Sequence, residues 1–259
     1  MPQRIAFAAI LAAFAAGAFA ESITGAHYTT PSTRYGHFAL GRPHEYAKLT
    51  TITDAGRKLV FELPDNEVFE DLAPRIVRLS ADTPTELLAI VSRHGAGSRL
   101  MLIGLRGGGL ETTAQSPAIG TPMRWLNPVA VADLDGDGQA EIAAVIMPHI
   151  GGTLKVYKRR GAALVEIAAQ AGFSNHVYGS AELALSAPIV IAGTTHLLVP
   201  DTTRLNLRIV GLKGGRLIEA GVCALPEPLT GALTVVSLSQ IAIEQGPGRR
   251  LTVPDDCVK

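Results

Sequence analysis

The stretch D-L-D-G-D-G-Q-A-E, from Asp133 to Glu141, decides how the rest of this 259-residue sequence is interpreted. It places carboxylates at positions 1, 3, 5 and 9 of a loop that two glycines allow to bend sharply. Hard divalent cations, calcium above all, bind oxygens that converge from such a turn, whereas four close carboxylates repel one another without a cation. The alternative is an acidic surface turn without an ion. The pattern predicts a calcium site with five ligands, one of them a backbone carbonyl: Asp133, Asp135, Asp137, Gln139 (through its carbonyl) and Glu141.

The residues on either side of this loop indicate which kind of calcium loop it is. An EF-hand needs a glutamate at position 12 and lies between two helices, but position 12 here is Ala144. The flanking runs, Pro128–Ala132 and Ile142–Met147, are short and apolar, which favours buried strands. Strand, acidic loop and strand together resemble the FG-GAP/VCBS repeat over Val129–Leu164. This resemblance implies an integrin-alpha-like β-propeller in which calcium stiffens a loop and takes no part in chemistry.

A search for internal repeats extends this pattern to the preceding part of the chain. A shift of 55 residues aligns Glu86 with Glu141 and Asp82 with Asp137. The same shift puts Arg78 where the first calcium ligand would be. Because a guanidinium there would repel a cation, we predict no ion in this second loop.

Hairpins with a glycine-containing turn also recur, and they indicate the architecture. Three of them are predicted, at 100–113, 154–168 and 207–220. A further hairpin, Leu49–Thr53 with Lys58–Leu63, precedes them, and too few residues follow Val253 to complete a C-terminal blade. The sequence therefore predicts an all-β fold, a β-propeller of four or five blades. We expect the N-terminal hairpin to join the C-terminal blade and close the ring, within one domain of residues 21–259.

The first twenty residues have the organisation of an export signal. Arg4 precedes an apolar stretch from Ile5 to Phe19, and Ala18-Phe19-Ala20 matches an A-x-A cleavage pattern. The apolar stretch is shorter than the roughly 20 residues that span a bilayer. We expect cleavage after Ala20, a periplasmic or secreted location, and no membrane span in the mature chain.

Charge and cysteine content narrow the range of partners. The chain has 23 basic and 23 acidic residues, a balance that gives no support for nucleic acid or an anionic membrane as partner. We expect a monomer. The two cysteines, Cys223 and Cys257, either form a disulfide in an oxidising compartment or remain free thiols, and the sequence does not decide between these states.

Catalytic motifs are not found. The sequence has no H-E-x-x-H, G-x-S-x-G or C-x-x-C pattern. We expect His149 and His176 to be loop histidines held by local hydrogen bonds, and Trp125 to pack between blades instead of stacking on a sugar. The favoured function is a calcium-stabilised module that binds a protein or a glycan. The alternative is an envelope enzyme, a hydrolase or lyase acting on polysaccharide or phosphoester, with its site at the propeller axis.

Overall fold

The structure is a computed structural model that describes residues 21–237, 240–244 and 250–253, with side chains described up to residue 235. These residues form nineteen β-strands and no helix, which confirms the all-β prediction for this part of the chain. Accordingly, the described residues contain no helix with the length and hydrophobicity needed to cross a bilayer. The predicted export signal and Cys257 lie outside the described residues.

The described strands follow one another as five antiparallel meanders, which we number first to fifth in chain order. The first contains β1 (Ile23–Pro31), β2 (Tyr46–Thr53) and β3 (Lys58–Glu62). The second contains β4 (Glu67–Phe69), β5 (Arg75–Val77), β6 (Glu86–Arg93), β7 (Gly97–Arg106) and β8 (Gly109–Gln115). The third contains β9 (Leu126–Ala132), β10 (Glu141–Ile146), β11 (Thr153–Arg160) and β12 (Ala163–Ala171). The fourth contains β13 (Ala187–Ile191), β14 (Thr194–Pro200), β15 (Asn206–Lys213) and β16 (Arg216–Ala224), and the fifth β17 (Leu233–Ser237), β18 (Gln240–Glu244) and β19 (Arg250–Val253).

Neighbouring meanders contact one another mainly through side chains. Single bridges, Tyr46 with Phe69 and Ala163 with Gln115, link the first three meanders into one hydrogen-bonded sheet of twelve strands. In the second meander, β4 and β5 both pair with the same edge of β6. The three hairpins predicted by their turn glycines are present as β7–β8, β11–β12 and β15–β16.

Alternate residues of the central strands enter different hydrophobic cores. In β10, Ile142 and Ala144 pack in the core shared with the second meander, whereas Ala143 and Val145 pack in the core shared with the fourth. The residues of β6 divide in the same way between the first and third meanders. Successive side chains of a strand point to opposite faces, so a strand with apolar cores on both faces has a continuous apolar sequence. The meanders are therefore stacked face to face in chain order, as the blades of a propeller are.

The N-terminal hairpin has a neighbour that the sequence did not suggest. It is present as β2 and β3, but within the described residues β2 pairs on its other side with β1, a strand that the sequence pattern did not reveal. The hairpin thus belongs to a meander of its own. Contact between this meander and the fifth, which would close a ring, remains a prediction.

Cys223 lies on β16 and is buried in the core between the fourth and fifth meanders. It is disulfide-bonded, which favours the oxidised alternative of the sequence analysis. The predicted partner, Cys257, lies outside the described residues.

Candidate metal centre

The acidic loop connects β9 to β10 in the third meander, between two strands as predicted. Its backbone curls around the side chain of Asp133, whose two carboxylate oxygens accept hydrogen bonds from the amides of Gly136 (2.7 Å) and Gly138 (2.9 Å). Both glycines have φ near +80°, where a side chain would be strained. The first residue of the motif therefore organises the loop that carries the other acids.

Three of the five predicted ligands come together in space. One oxygen each from Asp133, Asp135 and Glu141 lies within 4.8 Å of the others, so these carboxylates can hold a metal ion. Asp137 lies at the exposed side of the group. Gln139 is also exposed, and its backbone N–H donates a hydrogen bond to Asp137 Oδ1 at 3.0 Å. A set made only of oxygens suits a hard cation such as calcium.

Glu141 forms the buried floor of this group. It is the first residue of β10, and its side chain is fully buried. One carboxylate oxygen, Oε2, accepts the amide of Leu134 at 2.8 Å, which fixes the side chain under the loop. The amide of the preceding residue, Ala140, donates to the carbonyl of Leu79 at 2.7 Å and so joins the loop to the second meander.

A lysine that the sequence analysis missed lies at the centre of the acids. The Lys158 ammonium nitrogen is 2.9 Å from Asp135 Oδ2, 2.6 Å from Asp137 Oδ2 and 2.7 Å from Glu141 Oε1. The pairing of Ile142 with Tyr157 places Glu141 beside Lys158 on adjacent strands. This register was the signal that could have revealed the contact, but the sequence analysis predicted the hairpin of β11 and β12 and not the pairing of β10 with β11.

The electrostatics follow from this arrangement. The hydrogen bond from Lys158, together with the one from the Gln139 amide, lowers the pKa of Asp137. Burial alone would lower the pKa of Lys158, but its hydrogen bonds to Asp137 and Asp135 and its ion pair with Glu141 outweigh burial and raise that pKa well above its usual range. Asp137 and Lys158 are therefore both charged at neutral pH. Three carboxylates contact the one ammonium and Asp133 lies beside them, so the loop has more acidic than basic side chains, which suits a cation.

A second constellation lies at the other end of β10, roughly 20 Å away for a strand of this length. His149 Nε2 and His176 Nδ1 are 2.7 Å apart, and His176 Nε2 faces the carbonyl of Ser180 at 2.9 Å. The ring of Trp125 is nearly parallel to that of His149, with 6.0 Å between centroids, and its indole N–H donates to the carbonyl of Glu70. Trp125 is almost fully buried in the core between the second and third meanders.

Burial keeps this histidine pair neutral. Desolvation is the main cause that lowers the pKa of His149, to about 3, and the nearby charge of His176 is the second. Desolvation also lowers the pKa of His176 to about 4, against the opposing effect of its hydrogen bond with the Ser180 carbonyl. The local hydrogen bonds agree with the structural role that the sequence analysis gave to these histidines.

Aromatic and apolar side chains around the pair line a shallow cleft of about 150 Å³. Tyr178 is 57% exposed, its ring lies edge-on to that of His149 at 5.3 Å, and its hydroxyl donates to the carbonyl of His37. Met123 and Ile150 are further exposed apolar side chains of the same cleft. The cleft is assembled from four connections between strands, and its residues are far apart in the sequence. A sequence pattern could not have revealed it.

Comparison with known proteins does not assign the chain to a family. No protein-family model matches the sequence, and no curated protein matches it. Among solved structures, the chain is similar to a protein of Bacteroides fragilis NCTC 9343 that is provisionally named a 6-phosphogluconolactonase, with 15% identity and a TM-score of 0.42. The alignment covers 82% of this chain and 64% of that protein, so it spans less than two thirds of the latter. Similarity at this level carries no argument about function.

Proposed function

We propose that the chain is an exported β-propeller of the FG-GAP/VCBS type, with four or five blades, that binds a protein or glycan and is stabilised by calcium. The observation that carries the proposal is the convergence of Asp133, Asp135 and Glu141 in a loop between two strands. Oxygen ligands from a glycine-bent loop are the ligands that calcium prefers. Calcium outside the cell is abundant enough to fill a site with a dissociation constant on the order of 10⁻⁴–10⁻³ M.

The cleft beside Tyr178 is the binding surface that we favour. Loops at the end of a sheet stack carry recognition residues in many folds, and this cleft combines exposed aromatic and apolar groups. Tyr178, which is exposed, is the residue that would stack on a sugar ring or an apolar side chain, whereas Trp125 is buried. The metal loop lies at the opposite end of β10, so calcium would support the fold without touching the partner.

The alternative is an envelope enzyme, a hydrolase or lyase acting on polysaccharide or phosphoester. Such an enzyme would need acids or histidines that converge in a pocket reached by substrate. The His149–His176 pair is the candidate for such a site. However, the two histidines are hydrogen-bonded to each other, His176 is also hydrogen-bonded to the Ser180 carbonyl, and the cleft beside them is shallow. These observations favour binding over catalysis.

The proposal is tested with the chain from residue 21 onwards, immobilised and exposed to an envelope extract and to a glycan array. We expect a partner whose capture falls at least tenfold in Tyr178→Ala. Val190→Ala, an equally exposed apolar side chain on β13, is the matched control and should leave capture unchanged. Turnover of a polysaccharide or a phosphoester that is abolished by His149→Ala would instead establish the enzyme.

A further inference from the structure

We infer that Lys158 is a built-in cation that competes with calcium for the acidic loop, and so sets the affinity of the site. The inference rests on the proposed calcium site. It concerns a residue outside the loop motif, since Lys158 lies on β11, which pairs with β10.

The geometry makes the lysine and a metal ion mutually exclusive at the same point. The Lys158 nitrogen is within 2.6–2.9 Å of oxygens from Asp135, Asp137 and Glu141. Calcium in the loop would use oxygens of Asp135 and Glu141, which belong to both the lysine contacts and the clustered acids, at roughly 2.3–2.6 Å. Two cations cannot share one set of ligands at these distances. Calcium binding therefore requires the ammonium to leave the centre of the loop.

The buried oxygen of Glu141 supports the same conclusion. Glu141 Oε1 is fully buried and faces the lysine at 2.7 Å, but it has no hydrogen bond of acceptable geometry. A buried carboxylate oxygen is costly unless a cation neutralises it. Lys158 supplies a positive charge to this oxygen but no well-aligned hydrogen bond. A metal ion is spherical and has no donor direction, so it can neutralise the same oxygen more effectively.

The lysine is also able to move. Its ammonium group is carried by a flexible chain of four methylene groups, and 15% of the side chain is exposed. An outward rotation of the side chain therefore reaches solvent without unfolding the strand. Displacement costs the contacts with the three acids but recovers hydration of the ammonium. We therefore expect a lowered metal affinity rather than a blocked site.

The second meander provides an internal comparison. Glu86, the counterpart of Glu141, begins β6, and the pairing of Leu87 with Ile103 places Gly104 where the third meander has Lys158. A Cβ on Gly104 would lie 3.0 Å from a methyl of Thr113 and 3.2 Å from Glu86 Oε1, so a side chain there would crowd both neighbours. Glu86 instead forms an ion pair with Arg159 of the third meander. In both meanders a protein cation neutralises the buried glutamate, and only in the third does it lie at the centre of an acidic loop.

The test uses Lys158→Met, which keeps the length of the side chain but removes its charge. Calorimetric titration with CaCl₂ should show calcium binding about tenfold tighter than in the wild type, since the metal no longer displaces a charged group. In EDTA the variant should melt at a lower temperature than the wild type, because four carboxylates are left without a cation. Lys155→Met is the matched control, since Lys155 lies on the same strand and pairs with Glu166 on the surface.

The outcomes separate this inference from the calcium site itself. Equal calcium affinity in the wild type, Lys155→Met and Lys158→Met would overturn the inference and leave the site intact. Absence of calcium binding in all three would overturn the site, and the inference with it. If Lys158→Met folds poorly without metal, Lys158→Gln, which retains a polar end, is titrated in its place. Tighter calcium binding in Lys158→Met or Lys158→Gln, but not in Lys155→Met, supports competition.

Discussion

At the scale of single residues, the acids of the loop have different tasks although the motif presents them as equals. Asp133 holds the two glycine amides and shapes the turn. Glu141 is buried and anchored to Leu134, so it presents one fixed oxygen. Asp135 and Asp137 lie at the solvent side, where they share Lys158. Within the loop Asp135 accepts only the backbone amide of Asp137, at 3.2 Å, so it is the clustered acid that can be removed with least damage to the loop itself.

Asp135→Ala should abolish the calcium-dependent rise in melting temperature while the protein stays folded. The reason is that one of the three clustered carboxylates is lost and the turn around Asp133 is kept. Differential scanning calorimetry with 10 mM CaCl₂ and with EDTA measures the effect. Asp82→Ala, in the related loop of the second meander, is the control and should keep the full shift. A variant of Asp135 with the wild-type shift would show that the ligand assignment is wrong.

The neutral histidine pair predicts a loss of stability in mild acid. The folded pKa values of about 3 for His149 and 4 for His176 lie below the usual value near 6.5. As the pH falls, these histidines are therefore protonated in the unfolded chain before they are protonated in the folded chain, which favours unfolding. The stability that the pair contributes near pH 7 is lost as the pH falls from about 7 to 4. The expected loss from pH 7 to 5 is about 2 kcal/mol per histidine.

Urea unfolding at pH 7 and pH 5 measures this loss. His176→Asn should reduce the difference between the two pH values, since one neutral buried imidazole is removed. His27→Asn, which changes an exposed histidine on β1, should leave the difference as it is in the wild type. An unchanged pH difference in His176→Asn would mean that the pair is not the source.

At the scale of elements, the turn between β10 and β11 is packed against the end of β12. The carbonyl of Gly152 accepts hydrogen bonds from the amides of Gly172 and Phe173. A Cβ on Gly152 would lie 2.1 Å from the carbonyl oxygen of Phe173 and 2.9 Å from a methyl of Val145. Glycine is required here because of close packing, since the φ of this residue is not positive.

Gly152→Ala should therefore lower the free energy of unfolding by about 2–3 kcal/mol, the upper part of the range for overpacking. Chemical denaturation at pH 7 is a sufficient measurement. Gly109→Ala is the control, because a Cβ there would meet only the Arg106 carbonyl oxygen at 4.0 Å and the φ is ordinary, and its effect should be below about 0.5 kcal/mol. Equal stability of the two variants would show that the turn is not packed as described.

At the scale of the whole molecule, the chain is a stack of meanders joined by apolar cores on both faces of the central sheets. The acidic loop adds a local brace to this stack. It connects two strands of the third meander and contacts the second through the bond from Ala140 to Leu79. A metal ion here should stabilise the fold but should not be needed to form it, because the strands supply most of the core residues and the loop contributes only Leu134 and Ala140.

Removal of calcium should lower the melting temperature and leave the β-structure intact. With a dissociation constant on the order of 10⁻⁴–10⁻³ M, 10 mM calcium stabilises the folded state by about 1.4–2.7 kcal/mol. For a chain of this size the shift is roughly 5 °C. Melting followed by far-ultraviolet circular dichroism, with CaCl₂ and with EGTA, gives both readouts. Loss of the β-signal at 25 °C in EGTA would show that the metal is required for folding.

Local sequence patterns were sufficient for features that depend on neighbours in the chain. The acids at alternate positions with two glycines predicted the loop, and continuous apolar runs predicted the strands around it. The turn glycines predicted three hairpins. Each of these features is decided within about ten residues, by side-chain periodicity and by the backbone freedom of glycine.

Only the tertiary structure decided which distant groups meet. Strand register placed Lys158 among the acids, and stacking of the meanders placed Arg159 beside Glu86 and brought Tyr178 to His149. Pairing with β1 gave the N-terminal hairpin its neighbour. The physical reason is that burial on both faces and cross-strand register are settled by the whole stack, whereas a sequence pattern records only the preferences of each strand.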